Sequence, residues 1–193
     1  MEIIGITGQT GAGKSTVCAA LKERGYRHID ADAVAKALYV PHAPVVTKLA
    51  AVFGQQILQP DGGINRQALA DAAFASPAAT AQLNALVHPA VTEKIRLILE
   101  EERNSGAKAV IIDAIALFES GAAALCNRTV GVVAPEQVRL QRIMARDGLT
   151  AAQAMRRIRA QQDEAFYKNR CDAILHNYPP YDFAAELQRV FPK

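Results

Sequence analysis

The chain has 193 residues, is 50% hydrophobic and 21% charged, and carries a formal net charge of +3. These values are typical of a globular protein with a substantial core, exclude a disordered or fibrous chain, and give no support to nucleic-acid binding. Because there is no apolar run long enough to span a bilayer, and no signal peptide before the first apolar segment, we expect a cytoplasmic protein without membrane or nucleic-acid partners.

The first apolar segment, residues 3–7, predicts a buried strand, and residues 8–15 after it match the phosphate-loop pattern G-x-x-x-x-G-K-[ST]. Glycines let backbone N–H groups surround phosphate oxygens, and a following helix N-terminus adds partial positive charge. We predict that Lys14 reaches the β- and γ-phosphates of a nucleotide and that Ser15 binds Mg²⁺. The predicted nucleotide contacts are Gly11, Ala12, Gly13, Lys14, Ser15 and Thr16.

A second predicted strand, residues 27–30, ends in Asp30-Ala31-Asp32. In a parallel sheet both carboxylates would lie at the edge shared with the phosphate loop. A carboxylate there can orient an attacking hydroxyl and accept its proton, so we predict that Asp32 is catalytic and contacts the acceptor. One of the two is expected to cap the next helix; capping by Asp32 is the alternative to its catalytic role.

Residues 33–108 show no convincing strand, and their turn signals separate several helical patterns. An all-helical insertion favours a lobe that binds a second substrate; a helical layer that only covers the sheet is the alternative. The predicted helices are 33–39, 43–53, 65–75, 77–86 and 89–103.

Three residues of this insertion are predicted to bind the acceptor. Asn65 and Arg66 open a helix and could contact an anionic substrate, or be a plain cap and a surface arginine. His88 precedes Pro89 at an expected helix start, where a ligand contact and a structural cap are equally supported.

The third predicted strand, residues 109–113, ends at Asp113, which either supports Mg²⁺ or is a strand-end turn residue. The fourth, residues 129–133, precedes helices at 136–146 and 150–162. The second of these helices begins with a capping box, Thr150-x-x-Gln153.

These two basic helices, joined by a short turn, predict a lid over bound phosphates. Arg139, Arg142 and Arg146 lie on one helical face, and guanidinium groups match phosphate oxygens in geometry. We predict that Arg142 and Arg146 are catalytic and that Arg139 is the weakest candidate.

Cysteine and histidine residues give no metal-binding spacing in the sequence. We therefore expect the cysteines to be reduced, buried and apolar in role, and the isolated histidines to be structural. These residues are Cys18, Cys126, Cys171, His28, His42 and His176.

A last apolar run, residues 173–175, predicts a fifth strand. Because strands alternate with helices, the predicted fold class is α/β: a parallel five-stranded sheet of the P-loop NTPase or nucleoside-monophosphate-kinase type with helices on both faces, a helical acceptor-binding insert and a helical lid.

In order along the chain, these segments resemble the dephospho-coenzyme A kinase family over nearly the full length. The phosphate loop alone is shared by many kinases, but the ordered set is specific. The matching segments are 8–15, Asp30-Ala31-Asp32, Ile64-Asn65-Arg66 with Phe74, His88-Pro89, Asp113, 117–121, the lid residues Gln137, Arg139, Arg142, 146–149, Arg157-Ile158 and Gln161-Gln162, and the closing segment 171–177.

The resemblance implies transfer of the ATP γ-phosphate to the ribose 3′-hydroxyl of dephospho-CoA, with ATP and Mg²⁺ as cofactors. By the same analogy Asp32 is the base, and Asn177 lies near the adenine of ATP. The family's organisation implies one kinase domain, either monomeric or in a small homo-oligomer. Its parts would be a core of residues 1–32, 109–135 and 171–193, an insert of residues 33–108 and a lid of residues 136–170.

Two positions depart from the family's usual pattern. The family usually has proline in the turn after the strand that ends at Asp113, where this chain has Ala114-Ile115-Ala116. Cys171 stands where a small alanine is common.

A kinase for another hydroxyl acceptor, such as a nucleoside or nucleotide, is the nearest alternative. A nucleotide-binding switch is the more distant one, and the lack of an Asn-Lys-x-Asp motif counts against a GTPase.

Overall fold

The computed structural model describes residues 1–192. Within them, each strand except the third is followed along the chain by an α-helix or a loop leading to one. The elements are β1 (Glu2–Gly8), α1 (Lys14–Glu23), β2 (Arg27–Asp30), α2 (Ala31–Ala37), α3 (Pro44–Phe53), α4 (Arg66–Ala73), α5 (Pro77–Asn104), β3 (Ala109–Asp113), β4 (Arg128–Val133), α6 (Glu136–Asp147), α7 (Ala151–Arg159), α8 (Glu164–Arg170), β5 (Ala173–His176) and α9 (Phe183–Val190).

The five strands form one parallel sheet in the order β2-β3-β1-β4-β5, which confirms the predicted fold class. Ile6 of β1 lies opposite Asp113 of β3, and Asp113 lies opposite Asp30 of β2. The carboxyl ends of these three strands therefore meet at one edge, directly beside the phosphate loop.

Apolar side chains fill the space on both faces of the sheet. Ile3 and Ile4 are neighbours in β1, and successive strand residues point to opposite faces. Ile4 packs with Val17 of α1 and Phe191 after α9, whereas Ile3 packs in the cluster that includes Leu49 of α3 and residues of α5. Helices on both faces thus bury a sheet whose strands are apolar on both sides.

The expectation of two helices at 77–86 and 89–103 was wrong. Helix α5 runs without a break through 28 residues and contains Pro89 in its interior. Proline removes one backbone hydrogen bond, but the apolar stripe Val87, Val91, Ile95 and Leu99 is buried at four-residue spacing along the same helix. Burial of this stripe along the whole helix stabilises α5 by more than the missing hydrogen bond at Pro89 costs.

The lid segment folds as three helices, α6, α7 and α8, of which the last was not predicted separately. The capping box at Thr150 and Gln153 is confirmed. Ile143 of α6 and Ile158 of α7 are buried together in a small separate core, which holds these two helices as a pair. Among the described residues, none of the helices has both the length and the apolar character required to cross a membrane.

Candidate active site

The phosphate loop has a backbone conformation that favours glycine, as Gly11 and Gly13 show. Gly11 and Gly13 both have positive φ, 77° and 94°. A Cβ atom at Gly11 would lie 2.8 Å from the carbonyl oxygen of Arg139, and one at Gly13 would collide with the side-chain amide of Asn177. The loop is therefore packed directly against α6 and against the residue that follows β5.

A cavity of about 550 Å³ opens beside this loop. The loop lines one part of it, and residues of α6 and the turn after β3 line the rest. The lining residues are Gly8, Gln9, Thr10, Gly11, Gly13, Lys14, Ser15, Ile115, Arg142, Ala145 and Arg146. The loop and two of the three predicted lid arginines thus meet around one space, at the N-terminus of α1, where anions are favoured.

Arg142 connects three parts of this site. Its Nη1 donates to the carbonyl oxygens of Gly11 and Ala12 at 3.3 and 3.2 Å, and its Nη2 donates to the carbonyl oxygen of Asn177 at 2.7 Å. The lid helix is thereby tied both to the phosphate loop and to the end of β5.

The other two arginines of α6 have different surroundings. Arg146 is exposed and forms a bidentate pair with Asp147, which raises the pKa of Arg146 and lowers that of Asp147. Arg139 is buried, donates through Nε to the carbonyl oxygen of Ala134, and has a pKa lowered by that burial. Arg139 lies outside the cavity lining.

Lys14 contacts Asp113 through an ion pair between Nζ and Oδ1. The other carboxylate oxygen, Oδ2, lies 3.4 Å from Nε2 of His28. Burial, together with the Asp113 charge, raises the pKa of the nearby Cys18 thiol to about 12. His28 was expected to be an isolated structural residue; its contact with Asp113 arises from the pairing of β2 with β3, for which the sequence carries no spacing signal.

One of the two aspartates after β2 caps the next helix, as expected, and it is Asp30. Asp30 is the N-cap of α2, and its Oδ1 accepts a hydrogen bond from the Ala33 N–H at 3.0 Å. Asp32 lies in the first turn of that helix with an exposed side chain, free of the capping role.

Two of the three predicted acceptor residues lie at the start of α4, and the third lies in α5. Asn65 caps α4 by accepting from the Ala68 N–H at 3.1 Å, and Arg66 lines a separate cleft of about 360 Å³ with Tyr39. His88 lies half-buried in the middle of α5, so the expectation that it starts a helix was wrong.

One contact between the lid and the loop was not predicted. The backbone N–H of Thr10 donates to Oε1 of Gln161, after α7, at 2.6 Å.

Cys18 is buried as expected, whereas Cys126 and Cys171 are only partly buried.

Comparison with known proteins agrees with this arrangement. A family model described as dephospho-CoA kinase matches residues 2–180. The chain is 40% identical over 176 residues to a dephospho-CoA kinase of Moorella thermoacetica, covering 91% of this chain and 83% of that protein. It is also 40% identical over 177 residues to one of Corynebacterium jeikeium, covering 92% and 91%.

Solved structures give the same result. The dephospho-CoA kinase of Campylobacter jejuni superposes with a TM-score of 0.71 at 28% identity, covering 98% of this chain and 96% of that one. The parallel sheet, the phosphate loop and these relatives agree, and the chain belongs to the dephospho-CoA kinase family.

Proposed function

We propose that this protein transfers the γ-phosphate of ATP to the ribose 3′-hydroxyl of dephospho-CoA, giving coenzyme A and ADP. The observation that carries the proposal is the single cavity around which the phosphate loop, Arg142 and Arg146 converge, in a chain of this family. Phosphoryl transfer depends mainly on positioning and on stabilisation of negative charge, which such a site supplies.

The nucleotide would be held by the segment from Gly11 to Thr16. Lys14 would leave Asp113 for the β- and γ-phosphates when ATP binds, exchanging one anionic partner for another. Arg142 and Arg146 would stabilise the charge of the transferring group. Asn177, in contact with Gly13 and Arg142, would lie at the adenine end of the nucleotide.

The oxygen donors at the site fit Mg²⁺, which prefers oxygen ligands. Ser15 would supply its hydroxyl, and Asp113 its carboxylate, directly or through water. When bound, Mg²⁺ would neutralise charge on the phosphates.

The acceptor would be held on the other side of the cavity by the helical insert of residues 33–108. Asp32, exposed at the sheet edge, would orient the ribose hydroxyl and accept its proton. Asn65, Arg66 and His88 would bind the remainder of dephospho-CoA. Closure of the lid of residues 136–170 would then exclude water, which otherwise hydrolyses ATP.

The remaining expectations belong to the same proposal. The core of residues 1–32, 109–135 and 171–193, the insert and the lid would act as one kinase domain. We expect a cytoplasmic monomer or small homo-oligomer whose partners are ATP and dephospho-CoA rather than membranes or nucleic acid.

The decisive test is ADP release by the purified protein with Mg-ATP, with and without dephospho-CoA, followed by analysis of the product for a 3′-phosphate. We expect release that depends on dephospho-CoA and yields the 3′-phosphorylated product. Adenosine and adenosine monophosphate serve as control acceptors. Faster release with either of them would favour a kinase of another acceptor, and release without any acceptor would favour a switch.

A further inference from the structure

Three potential metal ligands come together below the phosphate loop. The Sγ of Cys18, a ring nitrogen of His28 and a carboxylate oxygen of Asp113 all lie within 4.8 Å of one another. Cys18 is only 3% exposed, and the side chains of His28 and Asp113 are 21% and 12% exposed. The cluster is therefore enclosed on the thiol side and reachable by solvent on the other.

Three separate elements bring these residues together. Cys18 lies one helical turn after Lys14 on α1, so both side chains face the same side of that helix. His28 comes from β2 and Asp113 from the end of the neighbouring β3. Because a helix and two hydrogen-bonded strands hold them, their separation is set by the packing of the fold rather than by a flexible loop.

The donor types indicate which cation would be selected. A thiolate, an imidazole and a carboxylate are together typical of zinc sites, whereas Mg²⁺ prefers oxygen alone. Tetrahedral coordination at ordinary zinc–ligand distances places the ligand atoms roughly 3.3–3.7 Å apart. His28 Nε2 and Asp113 Oδ2, 3.4 Å apart, already meet this spacing. The other separations, at most 4.8 Å, would need to shorten by up to about one ångström, which side-chain rotations can supply.

We propose that Cys18, His28 and Asp113 form a binding site for Zn²⁺ or a cation of similar softness, with the fourth position filled by water. The site uses the Asp113 carboxylate, which the proposed function also offers to Mg²⁺, but its test needs neither nucleotide nor turnover. The thiol proton is released to solvent as the Cys18 sulfur bonds to the metal.

Lys14 provides a further test of the proposal, because its ammonium group competes with the cation for the Asp113 carboxylate. In the structure the ammonium of Lys14 neutralises Asp113. A cation bound by Asp113 must displace this contact and then lies close to the displaced positive charge. Removal of the lysine charge should therefore strengthen metal binding, an effect opposite to what a ligand or a supporting residue would show.

The experiment is a Co²⁺ titration of the nucleotide-free protein, with thiols reduced and the reductant removed beforehand. Tetrahedral cobalt bound to a thiolate gives visible d–d bands and a near-ultraviolet sulfur-to-metal charge-transfer band. We expect one equivalent to bind, to be displaced by Zn²⁺, and to lose its charge-transfer band in Cys18→Ala. His28→Gln should weaken binding at least about 10-fold, and Lys14→Met should tighten it.

Cys126→Ala is the matched control, since the pKa of Cys126 is also raised by burial to about 12, yet this residue lies outside the cluster. Its titration should equal that of the original chain. Far-ultraviolet circular dichroism checks that each variant is folded. The proposal is overturned if the original chain gives no charge-transfer band, or if the band persists in Cys18→Ala. Neither result bears on ATP turnover, because no nucleotide is present.

Discussion

Arg142 donates a hydrogen bond of 2.7 Å from Nη2 to the carbonyl oxygen of Asn177. The same guanidinium reaches the carbonyl oxygens of Gly11 and Ala12 through Nη1. One lid side chain thus contacts both ends of the proposed nucleotide site. Its planar fork makes these contacts in fixed directions, which an ammonium group cannot reproduce.

Replacement of this fork by a single ammonium tests its role. We expect Arg142→Lys to lower turnover by about 10- to 1,000-fold, since both the positioning of the lid and the stabilisation of the transferring phosphate are weakened. Steady-state kinetics with varied ATP would measure the effect on kcat and KM. Arg156→Lys, an exposed lid arginine outside the cavity lining, should leave both constants unchanged. Equal kinetics for the two variants would contradict the role of Arg142.

Removal of the loop ammonium should abolish most activity without unfolding the protein. We expect Lys14→Ala to lower turnover by about 100- to 1,000-fold, as for other donors to developing negative charge. ADP release measures this loss, and circular dichroism checks the fold. Lys22→Ala, at the exposed end of the same helix, is the control and should keep full activity.

Of the two aspartates after β2, substitution of one should lower turnover and substitution of the other should lower stability. Asp32→Asn is expected to lower turnover by about 100- to 10,000-fold while ATP binding is kept, because the proposed base is lost. Asp30→Ala is expected to lower the free energy of unfolding by about 1 kcal/mol, because the cap of α2 is lost. Turnover and denaturant unfolding, measured on both variants, give the comparison. Near-normal turnover in Asp32→Asn would remove it as the base.

From the contacts of Glu186 we expect the free energy of unfolding to fall in acid. Its carboxylate accepts from Arg189 at 2.7 and 2.8 Å and from the His176 N–H at 2.8 Å, and these contacts lower its pKa from 4.5 to about 2. Because the pKa is lower in the folded state, this stabilisation is complete above pH 4.5 and is lost as the pH falls towards about 2.

Glu186→Gln should therefore be less stable at neutral pH by about 2–3 kcal/mol and should show a flatter stability profile in acid. Urea unfolding between neutral pH and pH 3 measures both effects. Glu23→Gln, at an exposed position, is the control. Parallel profiles for the original chain and Glu186→Gln would refute the assignment.

Pro89 offers a test of the unbroken helix. It is exposed and supplies no N–H to the carbonyl of Ala85, so Pro89→Ala should restore a helical hydrogen bond. We expect the free energy of unfolding to rise by about 1–3 kcal/mol, measured by urea denaturation. A decrease would mean that the proline ring contributes packing that outweighs the missing bond.

Sequence reasoning succeeded where the signal is local. The apolar run Val110-Ile111-Ile112 predicted β3 because both faces of that strand are buried. The glycine pattern predicted the loop because it encodes backbone conformation directly. The unbroken α5 could not be predicted, since the cost of Pro89 is local whereas the burial that offsets it depends on the whole fold.

The order of the strands and the contacts of the site residues could not be predicted from the sequence for the same reason. The contact between His28 and Asp113 exists only because β2 pairs with β3 in one particular register. Likewise, Arg142 reaches Gly11 only when α6 has packed beside the loop. These relationships join residues that lie far apart in the chain, where spacing gives no signal.

The packing of Asn177 against Gly13 has a consequence for the nascent chain during synthesis. The phosphate loop is synthesised well before Asn177, which packs against Gly13 from the segment that follows the edge strand β5. A nascent chain that already displays the glycine motif therefore still lacks this packing partner of the loop. If the proposed nucleotide site includes Asn177, we expect high-affinity capture of ATP to begin only after β5 has joined the sheet.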